Sequence, residues 1–511
     1  MARLSRKSLE FAKNHIVKFY DSDFYPKPFE FEALWANWEE VITHLTCNDV
    51  GGYPIDQPRT FTSIKPNGSF RVVHQLDPIN TLIYTALSYE IGEGVEKARV
   101  PVAENVACSY RIEIDHKKGT LFANGSGYSG FITKCFELSE ASKYVLVTDI
   151  TDFYNQIYVH RLQNAIEAAD PKLYELSKDT ERFILDLNSN VSQGVPVGPA
   201  ASIIMAEAIL IDVDNFIIDS GFKHARYVDD IRIFGVTKQD LIRFLAKLTE
   251  YLYHNHRLTL AGEKTKIIKS EDFKNNYLES PEVVEKQSIH DTLATIKSFK
   301  DAYAITDLSD IDETKIRPDI LSEIFDSIIS DKKLDLGISR HILRRCRRYR
   351  IRSITPALFK HFKFFLPVIC DVILYLQKVS NKSFVERNKE NLINLTKENY
   401  VIKFPFIKDW VEHYFANNKH ILQIEEIKEY LRKHGNFRNQ AAAAFKLNST
   451  SWVRAHKGNL PHLPPWDKRA LIRASLILSK KEMESWIAVI EKHSSSFTEI
   501  MTAKWVKSLK K

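Results

Sequence analysis

Hydrophobic positions recur at helical spacing through residues 1–50, among them Leu9 and Ile16, with charged residues between them. This pattern predicts amphipathic helices. Two short runs of alternating character follow at 61–73, separated by a Pro-Asn-Gly sequence at 66–68. Alternating runs around such a turn predict a β-hairpin.

The middle of the chain mixes helices with strands. The apolar pattern from Asp77 to Glu90 predicts a helix, which we expect Gly92 and Gly94 to break. Short strands with glycine-rich turns, such as the one at 124–127, are predicted next. The β-branched run at 144–149 then predicts a buried strand.

The pattern changes again toward the C-terminus. The elements predicted before that change are a loop at 192–199, a long apolar helix at 200–218, a hairpin at 225–234 with Val228-Asp229 at its tip, a helix at 238–255 and a strand at 258–268. Beyond about residue 285 glycine nearly vanishes and amphipathic helical patterns dominate. We therefore predict a domain boundary near 280–315 and an all-helical segment after it.

Composition narrows the function only slightly. Lys and Arg number 72 against 65 Asp and Glu, a formal net charge of +7, which permits a polyanionic partner without requiring one. The five cysteines are scattered and lack zinc-binding spacing, so we expect them to be reduced. No apolar run is long enough to span a bilayer, so we predict a soluble, cytoplasmic protein with no membrane partner.

Aspartates at the ends of predicted strands are the main candidate chemistry. Asp149 ends the buried run at 144–149, and Asp229 and Asp230 lie between two strand-forming runs. A lone Asp-Asp pair is more often a turn. Acids from distant sequence beside buried strands, however, suit the two divalent ions that phosphoryl transfer requires.

Three motifs then resemble those of reverse transcriptases. Tyr227-Val228-Asp229-Asp230 resembles their Tyr-x-Asp-Asp motif, residues 148–154 resemble their first palm motif, and residues 192–199 resemble their Gln-Gly loop. The resemblance covers roughly residues 60–270. It implies that Asp149 and Asp229 are the main metal ligands, that Asp230 supports them, and that two Mg²⁺ or Mn²⁺ ions bind per active site.

The same resemblance implies a nucleotide site. Tyr154 falls on the position that excludes a ribose 2′-hydroxyl, which implies deoxynucleoside triphosphates as substrates; the alternative is a buried aromatic residue. Gln193 and Gly194 resemble residues that touch the nascent base pair, although an ordinary turn would read the same way.

Three basic residues complete this candidate site. Lys65 and Arg71 flank the hairpin turn, and the resemblance places Arg71 over the triphosphate. Lys264 is a candidate proton donor to the leaving pyrophosphate. For each of them, a solvated surface charge remains the alternative.

The densest basic run spans residues 340–352. Arg344, Arg345, Arg347 and Arg348 are candidate nucleic-acid contacts within it. A solvated helix with internal salt bridges explains the same run equally well.

The whole chain resembles the bacterial abortive-infection, or unknown-group, reverse transcriptases. The sequence at 198–202, with Glu207 in the following helix, and the sequence at 464–471 carry this resemblance, which points to the prophage-encoded subtype. We accordingly predict an α+β fold: a helical extension at 1–60, right-hand polymerase fingers and palm at 61–285, and an all-helical, repeat-like domain at 286–511.

This narrower resemblance also implies a biological role. It implies antiphage defence, homo-oligomers, and untemplated DNA synthesis primed by a protein hydroxyl, with single-stranded DNA held covalently on a tyrosine. One alternative is a template-copying enzyme of retron or group II intron type. Another is a non-catalytic nucleic-acid-binding protein on a degenerate polymerase scaffold.

Overall fold

The structure, a computed structural model, describes residues 2–20, 24–123, 127–278, 318–330 and 334–510. The predicted boundary at 280–315 and most of the glycine-rich turn at 124–127 lie outside these residues. Two compact units are present. The described residues of the first come from Met1–Asp21, His44–Pro58 and Asn80–Lys315, and those of the second from Ser22–Thr43, Arg59–Ile79 and Ile316–Lys511. The division into three consecutive domains stays a prediction.

The described part of the chain contains eight strands and is otherwise mainly helical. The strands are β1 (Arg59–Ile64), β2 (Phe70–Gln75), β3 (Ile112–Asp115), β4 (Thr120–Phe122), β5 (Tyr144–Asp149), β6 (Lys223–Tyr227), β7 (Asp230–Gly235) and β8 (Lys266–Lys269). The helices up to residue 273 are α1 (Arg6–Phe19), α2 (Glu30–Ala36), α3 (Trp38–Cys47), α4 (Pro78–Ala98), α5 (Tyr128–Glu140), α6 (Phe153–Gln156), α7 (Val159–Ala169), α8 (Tyr174–Leu187), α9 (Ala201–Asp219), α10 (Lys238–His256) and α11 (Ser270–Phe273). The later helices are Pro318–Ser330, Leu336–Tyr349, Thr355–Lys360, Ile369–Val379, Lys382–Arg387, Lys389–Leu395, Asn399–Lys403, Pro405–Asn417, Glu425–His434, Phe437–Lys446, Thr450–Lys457, Pro465–Ala474, Lys480–His493 and Phe497–Ser508.

An antiparallel sheet in the order β6-β7-β5-β8 forms the centre of the first unit. Its inner strand β5 is covered on both faces. Val145 and Val147 belong to a core with Phe131 and Phe273, and α10 also contacts the strand. Coverage of both faces explains why β5 is a continuous apolar run rather than an alternating one.

The strand at 144–149, the hairpins at 61–73 and 225–234, and the helices at 200–218 and 238–255 are confirmed within one to three residues. The first hairpin closes as expected. Gly68 has φ +80°, and its N–H donates to the Lys65 carbonyl at 2.9 Å. Glycine adopts this left-handed conformation without steric cost.

The predicted break at Gly92 and Gly94 is wrong, because α4 continues to Ala98. Close packing explains both glycines. A Cβ at Gly92 would lie 3.2 Å from Ile112 Cγ2, and one at Gly94 would lie 2.9 Å from Leu173 Cδ1. The two glycines therefore let neighbouring elements approach the helix, rather than ending it.

The predicted strand at 258–268 is mostly wrong. Only β8 forms, preceded by a 3₁₀ turn at Gly262–Lys264. The Ala261 N–H donates to the Asp149 carbonyl at 2.8 Å, and the Thr265 hydroxyl lies 2.8 Å from that of Thr148. These bonds turn the chain around the end of β5 before pairing with β5 begins.

The second unit is a succession of packed helices plus the hairpin β1–β2. Helix Ile369–Val379 packs on Pro405–Asn417, which packs on Phe437–Lys446, and that helix packs on Pro465–Ala474. The predicted all-helical character holds for the described residues beyond 317. No helix among the described residues combines the length and apolarity needed to cross a bilayer.

A buried ion network lies inside the second unit. Glu30 is fully buried, with its carboxylate 2.7 Å from Arg438 Nη1 and 3.2 Å from Arg469 Nε. Arg469 also pairs with Asp77 at 2.6 Å. Burial alone would raise the pKa of Glu30, but the two arginines outweigh it and lower that pKa to about 2.

Glu30→Ala should lower the free energy of unfolding by about 3–5 kcal/mol at neutral pH, because it leaves buried guanidinium groups without their partner. Since the folded-state pKa is depressed, the Glu30 contribution is complete above the unfolded pKa. It is lost as pH falls toward 2, and the difference between variant and wild type should shrink accordingly. Denaturant titrations at several pH values measure this.

The matched control is Glu425→Ala. Glu425 makes an exposed ion pair with Lys428 at 3.0 Å, which is worth at most about 1 kcal/mol. Equal losses for the two variants would contradict the structural role assigned to Glu30.

Candidate active site

The pairing of β5 with β7 brings the predicted carboxylates together. Asp149 ends β5, Asp230 begins β7, and the two residues are direct partners in the antiparallel register. Asp229 lies in the turn between β6 and β7, where its carbonyl accepts a hydrogen bond from the Ile150 N–H at 3.3 Å. All three aspartates therefore lie at one end of the sheet.

Val228 forms the tight turn that presents Asp229. Its φ is +55°, a conformation that is strained for a β-branched residue. The turn is held from two sides: the Val228 N–H donates to Ser109 Oγ at 2.9 Å, and Arg226 Nη1 donates to the Val228 carbonyl at 3.0 Å. These bonds fix the backbone on which the Asp229 carboxylate stands.

A buried ion network holds Arg226, whose guanidinium bonds to this turn. Arg226 Nη2 lies 2.9 Å from Glu207 and 2.7 Å from Asp214, and Arg99 Nη2 lies 2.8 Å from Glu207. Ser109 Oγ donates to Glu207 at 3.1 Å. Burial opposes ionisation of Asp214, but Arg226 holds the pKa of that carboxyl well below its usual range.

The negative charge of Asp149, Asp229 and Asp230 is only partly neutralised by neighbouring cations. Burial raises the pKa of Asp149, although Lys264 opposes the rise. Burial and the neighbouring charge of Asp149 raise the pKa of Asp229 to about 7. A like-charged, partly buried cluster of this kind gains stability when a cation binds.

Lys264 contacts the carboxylate cluster directly. Its ammonium forms an ion pair with Asp149 Oδ2, and the ion pair raises the pKa of Lys264. The lysine side chain remains 60% exposed, so the ammonium can also be reached from solvent. The Gly262–Lys264 turn thus brings this ammonium to the end of β5.

The donor set fits a hard divalent cation. Asp149, Asp229 and Asp230 offer only carboxylate oxygens, the ligands that Mg²⁺ prefers. Among the described residues, no group of three or more His, Cys, Asp or Glu side chains is arranged so that it could hold a metal ion by itself. Such a donor set suits a cation that takes some of its ligands from substrate phosphates.

Tyr154 and the predicted loop lie side by side. The Val195 N–H donates to the Tyr154 carbonyl at 2.9 Å, and the Gly194 N–H donates to the Ile157 carbonyl at 2.8 Å. Burial and the charge of Asp229 raise the pKa of the Tyr154 phenol. Gln193 is exposed beside them. The structure thus groups these three predicted residues within the first unit.

Lys65 and Arg71 lie on the hairpin of the second unit. The Lys65 N–H donates to the Ser69 carbonyl at 2.7 Å, and Arg71 pairs with Ser63 across β1–β2. Their contact with a triphosphate stays a prediction.

Most of the basic run lies in the helix Leu336–Tyr349. Its arginines differ in how exposed they are. Arg347 and Arg348 are exposed, and Arg344 pairs with Asp371 at 2.8 Å. Arg345 is only 7% exposed. Its position on the apolar face of an amphipathic helix explains the burial. The contact of these four arginines with nucleic acid stays a prediction.

Sequence reasoning missed Arg232. Its Nη1 lies 3.1 Å from Asp230 Oδ1, and the residue is 9% exposed. The two-residue period of a strand places Asp230 and Arg232 on the same face. This two-residue spacing in the sequence could have identified Arg232 as a neighbour of Asp230.

Asp229→Asn should stabilise the metal-free protein at pH 8 by on the order of 2–4 kcal/mol, because it removes a disfavoured charge. The folded pKa exceeds the unfolded value, so the penalty is absent at low pH and grows as pH rises from about 4 through 7. Denaturant titrations in EDTA at pH 4.5 and pH 8 measure the gain.

Asp219→Asn, on the exposed end of α9, is the control and should show no such pH-dependent gain. An Asp229→Asn variant that is no more stable at pH 8 than at pH 4.5, relative to wild type, would contradict the crowding of negative charge at this site.

Residues 65–284 match the family model described as reverse transcriptase (RNA-dependent DNA polymerase). Similar solved structures include telomerase from Candida albicans in complex with a TWJ fragment of telomeric RNA, with TM-score 0.34, 11% identity, and coverage of 76% of this chain and 71% of that one. The corresponding Candida tropicalis complex has TM-score 0.32, 13% identity, and coverage of 78% and 68%. Apo telomerase from Candida tropicalis has TM-score 0.29, 11% identity, and coverage of 92% and 74%.

No curated protein sequence matches the chain. Reverse transcriptases generally use divalent metal ions, in keeping with the oxygen donors at the end of β5. Residues 65–284 therefore form a reverse transcriptase domain, and the protein is a nucleotidyltransferase of the RNA-directed DNA polymerase type.

Proposed function

We propose that the protein polymerises deoxynucleotides at the cluster formed by Asp149, Asp229 and Asp230. The observation that carries this proposal is the direct pairing of Asp149 with Asp230, with Asp229 in the adjoining turn. These aspartates would hold two divalent ions, Mg²⁺ or in its place Mn²⁺. When bound, such ions activate the attacking hydroxyl and stabilise the leaving pyrophosphate.

The chain's own residues would supply the remaining chemistry. Lys264 carries an ammonium beside Asp149 and would donate a proton to pyrophosphate. Tyr154 would exclude a ribose 2′-hydroxyl, and Gln193 with Gly194 would contact the nascent base pair. Arg71 would bind the triphosphate together with Lys65.

We further propose that synthesis needs no template and starts on a protein hydroxyl, leaving single-stranded DNA attached to a tyrosine. The support is the sequence resemblance to abortive-infection reverse transcriptases, together with the long helical segment after the polymerase motifs. On this proposal the protein is a bacterial, prophage-encoded, cytoplasmic homo-oligomer that acts in antiphage defence.

Template-copying synthesis is the second candidate. The description of the matching family, an RNA-dependent DNA polymerase, favours it. In that case the enzyme would require an RNA template and a primer.

One incubation separates the two candidates. Purified, nuclease-treated protein receives Mg²⁺ or Mn²⁺ and labelled deoxynucleotides, with no template or primer, and the products run on a denaturing gel before and after protease digestion. We expect labelled DNA that migrates with the protein until protease releases it. Incorporation of label only after a primed RNA template is added would contradict untemplated synthesis.

Asp229→Ala should abolish incorporation under either condition, since it removes a proposed metal ligand. Asp219→Ala, exposed on α9, is the control and should retain it. Size-exclusion chromatography checks that both variants keep the wild-type oligomer. Activity persisting in Asp229→Ala would refute the proposed site.

Ser109→Ala should lower kcat by about tenfold to a hundredfold, because it releases the Val228 N–H and loosens the turn that presents Asp229. Titration with Mn²⁺ should show a higher midpoint, which a general loss of stability would not cause. Ser139→Ala is the control, since the Ser139 hydroxyl donates to the Phe136 carbonyl within α5, away from the Val228 turn. Unchanged kcat in Ser109→Ala would rule out this positioning role.

A further inference from the structure

The second unit contains a small cavity with an excess of positive charge. The cavity measures about 60 Å³ and lies between helices Phe437–Lys446 and Pro465–Ala474, with the base of the hairpin β1–β2 as one wall. Its charged lining residues are Lys27, Arg59, Asp409, Arg438 and Arg473. Four cations thus face one carboxylate.

Two of these cations already have partners. Arg59 Nη2 lies 3.3 Å from Asp409 Oδ2, which accounts for the only acid in the lining. Arg438 is bound to the buried carboxylate of Glu30 at 2.7 Å. Lys27 and Arg473 are the two lining cations that make no direct ion pair with a described residue.

Arg473 makes no hydrogen bond or ion pair with any described residue. Its guanidinium instead lies between two aromatic rings, 4.6 Å from the Phe29 centroid and 5.4 Å from the Phe445 centroid. Burial and the neighbouring charge of Arg438 lower the pKa of Arg473, and the charges of Glu30 and Glu32 oppose that fall. The Arg473 guanidinium is partly buried and forms no direct ion pair with a described carboxylate, so an anion hydrogen-bonded to it would be stabilised.

Lys27 marks the mouth of the cavity. The residue is exposed, yet burial of its ammonium lowers the pKa of Lys27. Among the described residues it too makes no ion pair, and Glu32 acts on it only at longer range. A cation at the mouth and another inside provide two points of attraction for one ligand.

The remaining wall is polar but uncharged. His413 lines it, and burial lowers the pKa of His413 to about 4, so the ring is neutral at physiological pH. Its Nδ1 lies 3.2 Å from the Asn417 amide nitrogen, which donates to it and leaves the ring proton on Nε2. The neutral ring therefore adds no charge to the lining.

We propose that this cavity binds the phosphate group of a small phosphorylated ligand. A planar guanidinium recognises phosphate oxygens through two parallel hydrogen bonds, and the ammonium of Lys27 adds a second charge. The volume is sufficient for a tetrahedral anion. Any larger part of the ligand lies outside, beyond Lys27. The proposal does not depend on the polymerase activity, because none of the aspartates of the proposed active site lines the cavity.

Calorimetric titration of the full chain tests this proposal. The protein carries Asp229→Asn and the buffer contains EDTA, so that the carboxylate cluster cannot contribute through a bound metal. The probes are inorganic phosphate and glycerol 3-phosphate at constant ionic strength, with chloride as the balancing anion. We expect saturable binding. Equal affinity for the two probes would identify free phosphate as sufficient, and tighter binding of the ester would identify a phosphorylated metabolite.

Variants locate the binding. Arg473→Gln and Lys27→Gln should each weaken it at least tenfold, and Arg473→Lys should restore part of the loss. Arg432→Gln is the control, because Arg432 is exposed, bonded to Glu429 and absent from the lining. If Arg473→Gln fails to fold, the exposed Lys27→Gln still decides.

Two results would overturn the proposal. One is the absence of saturable binding of either probe at millimolar concentration. The other is binding that Lys27→Gln and Arg432→Gln weaken equally, which would indicate a general effect of net charge.

Discussion

The antiparallel register of β5 and β7 is the constraint on which the proposed active site depends. Side chains alternate between the two faces of a strand, so a slip of one residue would turn Asp230 away from Asp149. Pairing with β7 on one side and β8 on the other holds β5 in place. The chain reverses at Val228 in a strained conformation, and Arg226 secures that reversal from the interior.

Buried charge is balanced in some parts of the protein and unbalanced in others. Arg226 meets two acids, Glu207 and Asp214, at hydrogen-bonding distance. In the second unit, Arg469 likewise has both Glu30 and Asp77. Around Asp229, by contrast, negative charge is in excess. Perturbed groups without full compensation are typical of sites that await a ligand.

Much of the first unit could be predicted from sequence because its signals are local. The run at 144–149 and the hairpin around Val228 show their strands through β-branched residues and turns. The helix break predicted at Gly92 was wrong, because the sequence does not reveal that Ile112 fills the space beside this glycine. The turn at Gly262–Lys264 was also missed, since the Asp149 carbonyl that holds it lies far away in sequence. The position of Arg473 in the cavity could not be predicted, because an arginine on a helix is expected at the surface unless its neighbours are known.

Residues that pack together in the second unit are made at very different times. The Glu30 carboxylate and the Arg469 guanidinium are 439 positions apart. At a ribosomal rate of about 5–20 residues per second, α2 waits roughly 20–90 s for that partner. Until then a carboxylate and apolar residues such as Phe31, which end up fully buried, have no core to enter. Burial of α2 is therefore completed only when the late helices have been made, so the folding of this unit is delayed until those residues are synthesised.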